Sequence, residues 1–437
     1  MQKLSSSTLT LASVQWLFFI FANTLVVPLS VGSAFHLSPT EIATTLRLSF
    51  IFIGIVCTIQ ATLGHRFSLM EGHSGLWWGL ILSLCSSASA SGMSYTTLGG
   101  AVTTGILLAG IVAVVVGALN LIPLLQKLFT PIVMSVYLFL LAFQLILIFF
   151  KGMLKLTPEG HLDLPVSLFS IALVIVTSII SVKGTGLLSN FAVLIGIIIG
   201  WGFFIFLFPS SGQAVPAGDM KFTFFPWGKP NFEVGIVITS FITGLLNLTN
   251  NIAAVKASEG LYGKEIGKKE FKNSFIISGL FSIVAALFGL VPNTPYASSI
   301  GLLESTRILD RKPLIIGGAL FALLGLIPAL GTIFTTLPVT VGNAVLFVAY
   351  MQLFGTALKS VKPHDFNSRT IFRFAFPLLV GISIMNLSPS VLLNLPLLIR
   401  PLVSNGLIMG LLLAILMELG VKWTSLEGHP AEAQPTK

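Results

Sequence analysis

Glu71 and His73 stand two residues apart in Met70-Glu71-Gly72-His73-Ser74-Gly75, a polar stretch set between apolar runs. A carboxylate beside an imidazole offers two kinds of chemistry: accepting the N–H groups of a flat heterocyclic amide, and taking up and releasing a proton. An ionisable group at membrane depth costs about 2.5–3.5 kcal/mol on insertion scales and so marks function. Glu71 is accordingly expected to bind substrate, with His73 and Ser74 beside it, and is the proton-coupling candidate. The plainer readings are a structural hydrogen-bond anchor, or a residue at the inner interface rather than the midplane. His73 is expected to tune Glu71 or to donate to a substrate carbonyl.

A second polar group lies in Gly244-Leu245-Leu246-Asn247-Leu248-Thr249-Asn250-Asn251. Asn247 and Asn251 are four apart and share one helix face, where their amides offer donor and acceptor to a heterocycle. Thr249 lies off that face as a supporting residue. Asn in a membrane helix also serves as glue between helices. A third group is Pro292-Asn293-Thr294-Pro295-Tyr296-Ala297-Ser298-Ser299, followed by Ile300-Gly301. Pro disfavours helix before itself, so this stretch is expected to be extended, with a short helix after it. Free N–H groups at that helix start would bind a carbonyl or anion at Ala297, Ser298 and Ser299, with Gly301 in support. A simple Ser N-cap is the plainer account. Gln15 is expected to support the site from a neighbouring helix, and Trp16 to support it or to pack. Trp77 and Trp78 would stack on a flat ligand or fill the core.

The elements that position these residues are membrane helices. The chain has 437 residues, 54% hydrophobic and 9% charged, too few charges for a water-facing surface. Apolar runs of about 20 residues cross a bilayer as helices. They read as Leu9–Val31, Glu41–Leu63, Leu69–Ser86, Leu98–Leu119, Pro131–Phe150, Leu164–Ile180 and Phe191–Phe208. The second half reads as Val234–Val255, Phe275–Val291, Pro295–Thr306, Leu314–Phe334, Pro338–Leu358, Ile371–Leu387 and Ser404–Leu419. The fold class is thus an all-α polytopic membrane protein of about fourteen segments. The third segment of each half is interrupted, which points to the binding site of a transporter, and an odd number per half makes the repeats inverted.

Basic residues fix the expected orientation. With a cytoplasmic N-terminus, eighteen of the 24 Lys and Arg fall inside. Outside fall Arg47, Lys151, Lys155, Lys221, Lys229 and Arg400, a bias that fits the positive-inside rule. The net charge of +9 is therefore an orientation signal. Its spread over many loops, without interleaved aromatics, argues against nucleic acid as a partner. No cleavable signal peptide is expected at the polar start. Cys57 and Cys85 read as buried small hydrophobes, with no CxxC spacing, metal site or cofactor implied. GxGxxG, P-loop, HExxH and GxSxG patterns are missing from the sequence, so neither an ATP-driven pump nor an embedded hydrolase is expected. The protein is read as no enzyme, its energy coming from a gradient.

These residues resemble the nucleobase–ascorbate transporter family, which includes uracil, xanthine and purine permeases. Gln15-Trp16 with Ala22-Asn23-Thr24-Leu25-Val26-Val27-Pro28 is similar to that family's first span, where Gln-His is usual. Glu71-Gly72-His73-Ser74 resembles its third-span Gln-Gly-Thr-Ser, and Thr130-Pro131-Ile132-Val133 the start of its fifth. Ser298-Ser299-Ile300-Gly301 through Thr306-Arg307 keeps the Gly and Thr-Arg of its tenth-span signature. The family's eighth-span Glu corresponds to Asn247 here, its tenth-span Glu or Gln followed by Asn to Ser298-Ser299, and the Phe after its third-span Ser to Gly75.

The resemblance implies a core domain (1–120 with 231–336), a gate domain (121–230 with 337–425) and a cytoplasmic tail (426–437). It implies elevator-like motion of core against gate, usually with proton symport, and often a dimer contact through the gate. The expected function is proton-coupled transport of a nucleobase such as uracil, xanthine or another purine. The expected setting is the lipid bilayer of the cell inner membrane, multi-pass, with both termini cytoplasmic, in a homodimer. Glu71 is expected to take over part of the ligand or proton role. The alternatives are an anion carrier of the same fold and a membrane sensor that binds without transporting.

Overall fold

A computed structural model describes residues 4–423 other than 124–129, 158–159, 186, 210–221, 363–364, 366, 393, 397–398 and 422. Lys3, Lys127, Lys221, Lys422, Lys437 and the tail 426–437 lie outside the described residues. The chain is predominantly helical. The first half runs α1 (Ser6–Thr24), α2 (Val26–Ala34), α3 (Pro39–Thr62), strand β1 (Glu71–His73), α4 (Gly75–Ser91) and α5 (Tyr95–Ala118). It continues through α6 (Pro131–Met153), α7 (Leu164–Lys183) and α8 (Ala192–Leu207). The second half runs α9 (Val234–Tyr262), α10 (Lys268–Phe288), β2 (Asn293–Pro295), α11 (Ser298–Thr306), α12 (Lys312–Gly325) and α13 (Pro328–Thr335). It ends with α14 (Val339–Val361), α15 (Ser368–Met385) and α16 (Gly406–Gly420).

Among the described residues nine helices are long and apolar enough to cross a membrane, or ten if the bent pair α12–α13 is one span. Their starts follow from local chemistry. Ser38 and Glu41 form a reciprocal capping box at α3, and Thr130 and Asp163 cap α6 and α7 through their side chains. Small residues let backbones touch: a Cβ on Gly110 would sit 2.9 Å from the Gly279 carbonyl, and one on Gly54 would strike the Gly318 carbonyl. These contacts join α5 to α10 and α3 to α12.

The helices pack in two sets. In one, α3 and α1 pack on α12, and α5 packs on α10 and α9; in the other, α6 packs on α14 and α16, and α15 on α16. Between the sets run the α4–α6 and α2–α14 contacts.

The expected first span is one 29-residue run, Ser6–Ala34, with Leu25 in helical backbone between α1 and α2. One break departs from the sequence reading. The expected continuous helix Leu314–Phe334 turns by 84° between Gly325 and Pro328. Pro328 has no N–H to continue the ladder. The freed carbonyls are met from another helix: the buried Arg47 donates Nε to Gly325 O at 3.1 Å and Nη2 to Leu326 O at 3.1 Å. Arg47, expected outside from charge counting alone, thus caps a broken helix. In the other set, Arg373 holds Glu418 in a two-pronged pair at 2.8 and 2.7 Å.

Candidate functional site

The two interruptions find each other. β1 and β2 pair antiparallel with Glu71 opposite Pro295, Gly72 opposite Thr294 and His73 opposite Asn293. Flanking bonds from Ser74 N to Pro292 O and from Tyr296 N to Met70 O, both 2.8 Å, extend the ladder. Non-helical backbone inside a membrane protein must have its polar groups met internally, and each stretch supplies the other's partners. Each strand then enters a helix, α4 after Ser74 and α11 after Ala297. The positive ends of two helix dipoles are thereby brought to one place.

Around this ribbon the predicted residues divide. Glu71 is fully buried; Oε2 accepts from Asn293 Nδ2, and Oε1 lies 3.5 Å from His65 Nε2. Its backbone is clasped by Cys57, whose thiol donates to Glu71 O at 3.3 Å and accepts from Glu71 N at 3.2 Å. His73 Nδ1 is 2.8 Å from Val291 O, so it donates there and leaves Nε2 as a buried acceptor. Its ring lies parallel to Phe52 at 6.4 Å. The Ser74 hydroxyl is buried without a protein partner.

Asn247 donates to Asn293 O at 3.0 Å, tying α9 to β2, and its Oδ1 has no partner. Asn251 donates to Ser278 Oγ at 2.9 Å and accepts from Ser274 Oγ at 3.1 Å, which is the helix-gluing role. Thr249 bonds its own helix at Leu246 O. Asn247, Asn251, Asn293, Thr294, Ser278 and Trp77 line a narrow void, with room for about one ordered water. Ser299 accepts from Met70 N at 3.0 Å and so braces the ribbon. Ala297, Ser298 and Gly301 are exposed on the open side of α11. Trp16 packs edge-on against Phe19 at 5.6 Å, and Gln15 Nε2 is buried without a partner. Trp78 donates to Ser30 Oγ at 2.7 Å, joining α4 to α2.

Sequence reading overlooked several members. Asn293, His65 and Cys57 surround Glu71 but come from separate elements. From the second helical set, Tyr350 approaches Tyr296 and Tyr137 approaches Asn250, and the Tyr137 hydroxyl is buried without a hydrogen-bond partner. Tyr296 in turn donates to His73 O at 2.6 Å. A phenol in an apolar helix was the available signal, since a buried Tyr hydroxyl needs a partner. Among the described residues no group of three or more His, Cys, Asp or Glu side chains is placed to hold a metal ion.

Comparison with known proteins places the chain among permeases. The Permease family model (Xan_ur_permease) matches residues 7–390. The chain is 29% identical over 433 residues to a Bacillus subtilis (strain 168) protein named "Putative purine permease YwdJ", covering 95% of this chain and 96% of that one. It is 24% identical to the uric acid permease PucJ of the same organism, covering 96% and 93%. It is 22% identical to the uric acid transporter UacT of Escherichia coli (strain K12), covering 95% and 86%. Among solved structures, the transmembrane domain of the cyanobacterial bicarbonate transporter BicA is similar in fold (TM-score 0.59, 14% identity, 92% and 97% covered). So is murine Slc26a9, an anion transporter, in its inward-facing state (TM-score 0.64, 10% identity, 96% and 69% covered).

Proposed function

The chain belongs to the xanthine/uracil permease family of multi-pass membrane transporters, and from that premise we propose that it carries a nucleobase, of the xanthine or uric acid kind or uracil, coupled to protons. One observation carries the reading: the two interrupted stretches pair and bring two helix starts together beside Asn247, Ser298 and Glu71. Helix-start N–H groups suit the ring carbonyls of an oxidised base, and side-chain amides suit its N–H edge. Exposed Ala297 and Ser298 form the ligand face, with Asn247 behind them, and His73 and Ser74 complete the site as acceptors. Gln15, Trp16, Thr249, Asn251, Ser299 and Gly301 hold its frame.

Relatives named as purine, uric acid and xanthine permeases support the substrate class. The anion reading has the weaker case, since no Lys or Arg among the described residues lines the void, and fixed positive charge is what an anion site wants beyond helix dipoles.

The architecture we propose is fourteen segments in two inverted repeats. The nine long helices, the bent pair, three shorter apolar helices and α11 account for that number. Exchanging the halves maps α3–α12 onto α10–α5, α1–α12 onto α9–α5, and α7–α8 onto α15–α16, and all six pairs are in contact. The first helical set would be the moving core and the second the gate, in an inner-membrane homodimer with cytoplasmic termini. Fully active monomers in native-like lipid would sink the dimer.

A melting-temperature screen of purified protein against xanthine, uric acid, uracil, sulfate and bicarbonate at two pH values tests the substrate. A base at a hundred times its Kd is expected to stabilise by about 2.7 kcal/mol. Stabilisation by sulfate or bicarbonate alone overturns the proposal. For coupling, Glu71→Gln is expected to abolish uptake or remove its pH dependence, and unchanged pH-dependent uptake excludes Glu71.

A further inference from the structure

Resting on that reading, we infer that Asn293 is an amide switch that converts the protonation of Glu71 into a change of hydrogen-bonding character at the void. Asn293 is 1% exposed and lies between the two. Its Nδ2 donates to Glu71 Oε2. Its Oδ1, the other end of the amide, is buried without a partner, and the residue lines the void beside Asn247.

The arrangement fits an ionised Glu71, which only accepts. His65 approaches the remaining oxygen without a hydrogen bond to it. Its Nδ1 accepts from Phe67 N at 3.1 Å, so a neutral ring carries its proton on Nε2, facing Glu71 Oε1 at 3.5 Å. A proton taken up on Oε2 turns the oxygen that accepts from Asn293 into a donor. An Oε2–H needs an acceptor, and the Asn293 Nδ2 now opposite it is a donor. Rotating the amide by half a turn resolves the conflict. Oδ1 then accepts from Glu71, and Nδ2 is offered to the void. One proton binds, no covalent bond breaks, and the group offered beside Asn247 changes from acceptor to donor.

Other titratable groups facing Glu71 are accounted for. The Cys57 thiol is engaged with the Glu71 backbone, and Tyr296 across Gly72 donates to His73 O. His73 uses Nδ1 on Val291. None of these contacts can take the amide's place, because none touches both Glu71 and the void. The pairing is also placed by the repeat: Glu71 and Asn293 hold equivalent positions in the two strands, each one step from the central Gly72–Thr294 pair.

The test uses full-length protein in proteoliposomes with radiolabelled xanthine and uric acid, and infrared spectroscopy of the same samples. A gradient of one pH unit drives accumulation up to about tenfold through a one-proton symport. Asn293→Leu keeps the volume and removes the amide. It is expected to lower gradient-driven accumulation to about onefold, while counterflow at equal pH remains measurable. Where that variant folds poorly, E71Q/N293L removes the stranded carboxylate, and E71Q alone serves as its reference. Gradient-driven accumulation surviving in N293L, or lost equally in a wild type that still exchanges substrate, overturns the inference. If neither probe is exchanged by the wild type, the substrate reading has failed and the infrared arm decides alone. The carbonyl band of protonated Glu71, identified by its loss in E71Q, is expected to move to higher frequency in N293L because its acceptor is gone. An unmoved band overturns the switch.

Discussion

At Glu71 a buried carboxylate is held by an amide and a thiol-clasped backbone, with an imidazole 3.5 Å away, each from a different part of the chain. A carboxylate out of water demands such partners, and losing one leaves a group whose desolvation is unmet. Asn293→Ala is therefore expected to cost about 1–3 kcal/mol, seen as a lower melting temperature in lipid nanodiscs. In the E71Q background the same change should cost less, because no charge is stranded. The double-mutant cycle should show a coupling of about 0.5–3 kcal/mol. Strict additivity would mean that the two side chains do not share a hydrogen bond in the working protein. This pairing lay beyond the sequence. Glu71 stood out by being acidic between apolar runs, but Asn293 looked like one more polar residue before a proline. His65 lay in a linker, with nothing in its spacing to tie it to Glu71.

Among the elements, the broken segments were legible and the bent one was not. Met70–Gly75 and Pro292–Ser299 were too polar or too rich in Pro to be lipid-facing helix, and both are extended before their helices begin. That they pair strand to strand needed coordinates, because a two-stranded ribbon of three-residue strands carries no alternation to read. The α12–α13 bend hid inside a run of apolar residues despite Pro328, since the compensating donor, Arg47, sits on α3. Arg47→Ala should leave two carbonyls at the bend without their guanidinium. The expected loss is about 1–3 kcal/mol, read as a lower melting temperature. Arg47→Lys, which lacks the planar fork, should recover only part of it. Full stability in the alanine variant would mean that water already serves these carbonyls.

For the whole molecule, the proposed division into a moving core and a fixed gate makes a mechanical claim that a covalent lock can test. α2 of the first helical set and α14 of the second touch where a Cβ on Gly342 would stand 3.8 Å from Val26 Cβ. That separation is close to the mean for disulfides, about 3.8 Å. The native thiols Cys57 and Cys85 are buried and can be replaced first, keeping any variant whose uptake survives. Introducing V26C and G342C and oxidising should then stop uptake if the sets must slide past each other. Reduction should restore it, and substrate binding measured by melting temperature should persist in the locked form, because the ribbon and both helix starts are untouched. Uptake that continues at the wild-type rate with the disulfide shown intact would place the moving boundary elsewhere. A lock that merely distorts the site is told apart by that same binding measurement: a distorted site loses ligand stabilisation along with transport, whereas a jammed carrier keeps the first and loses the second.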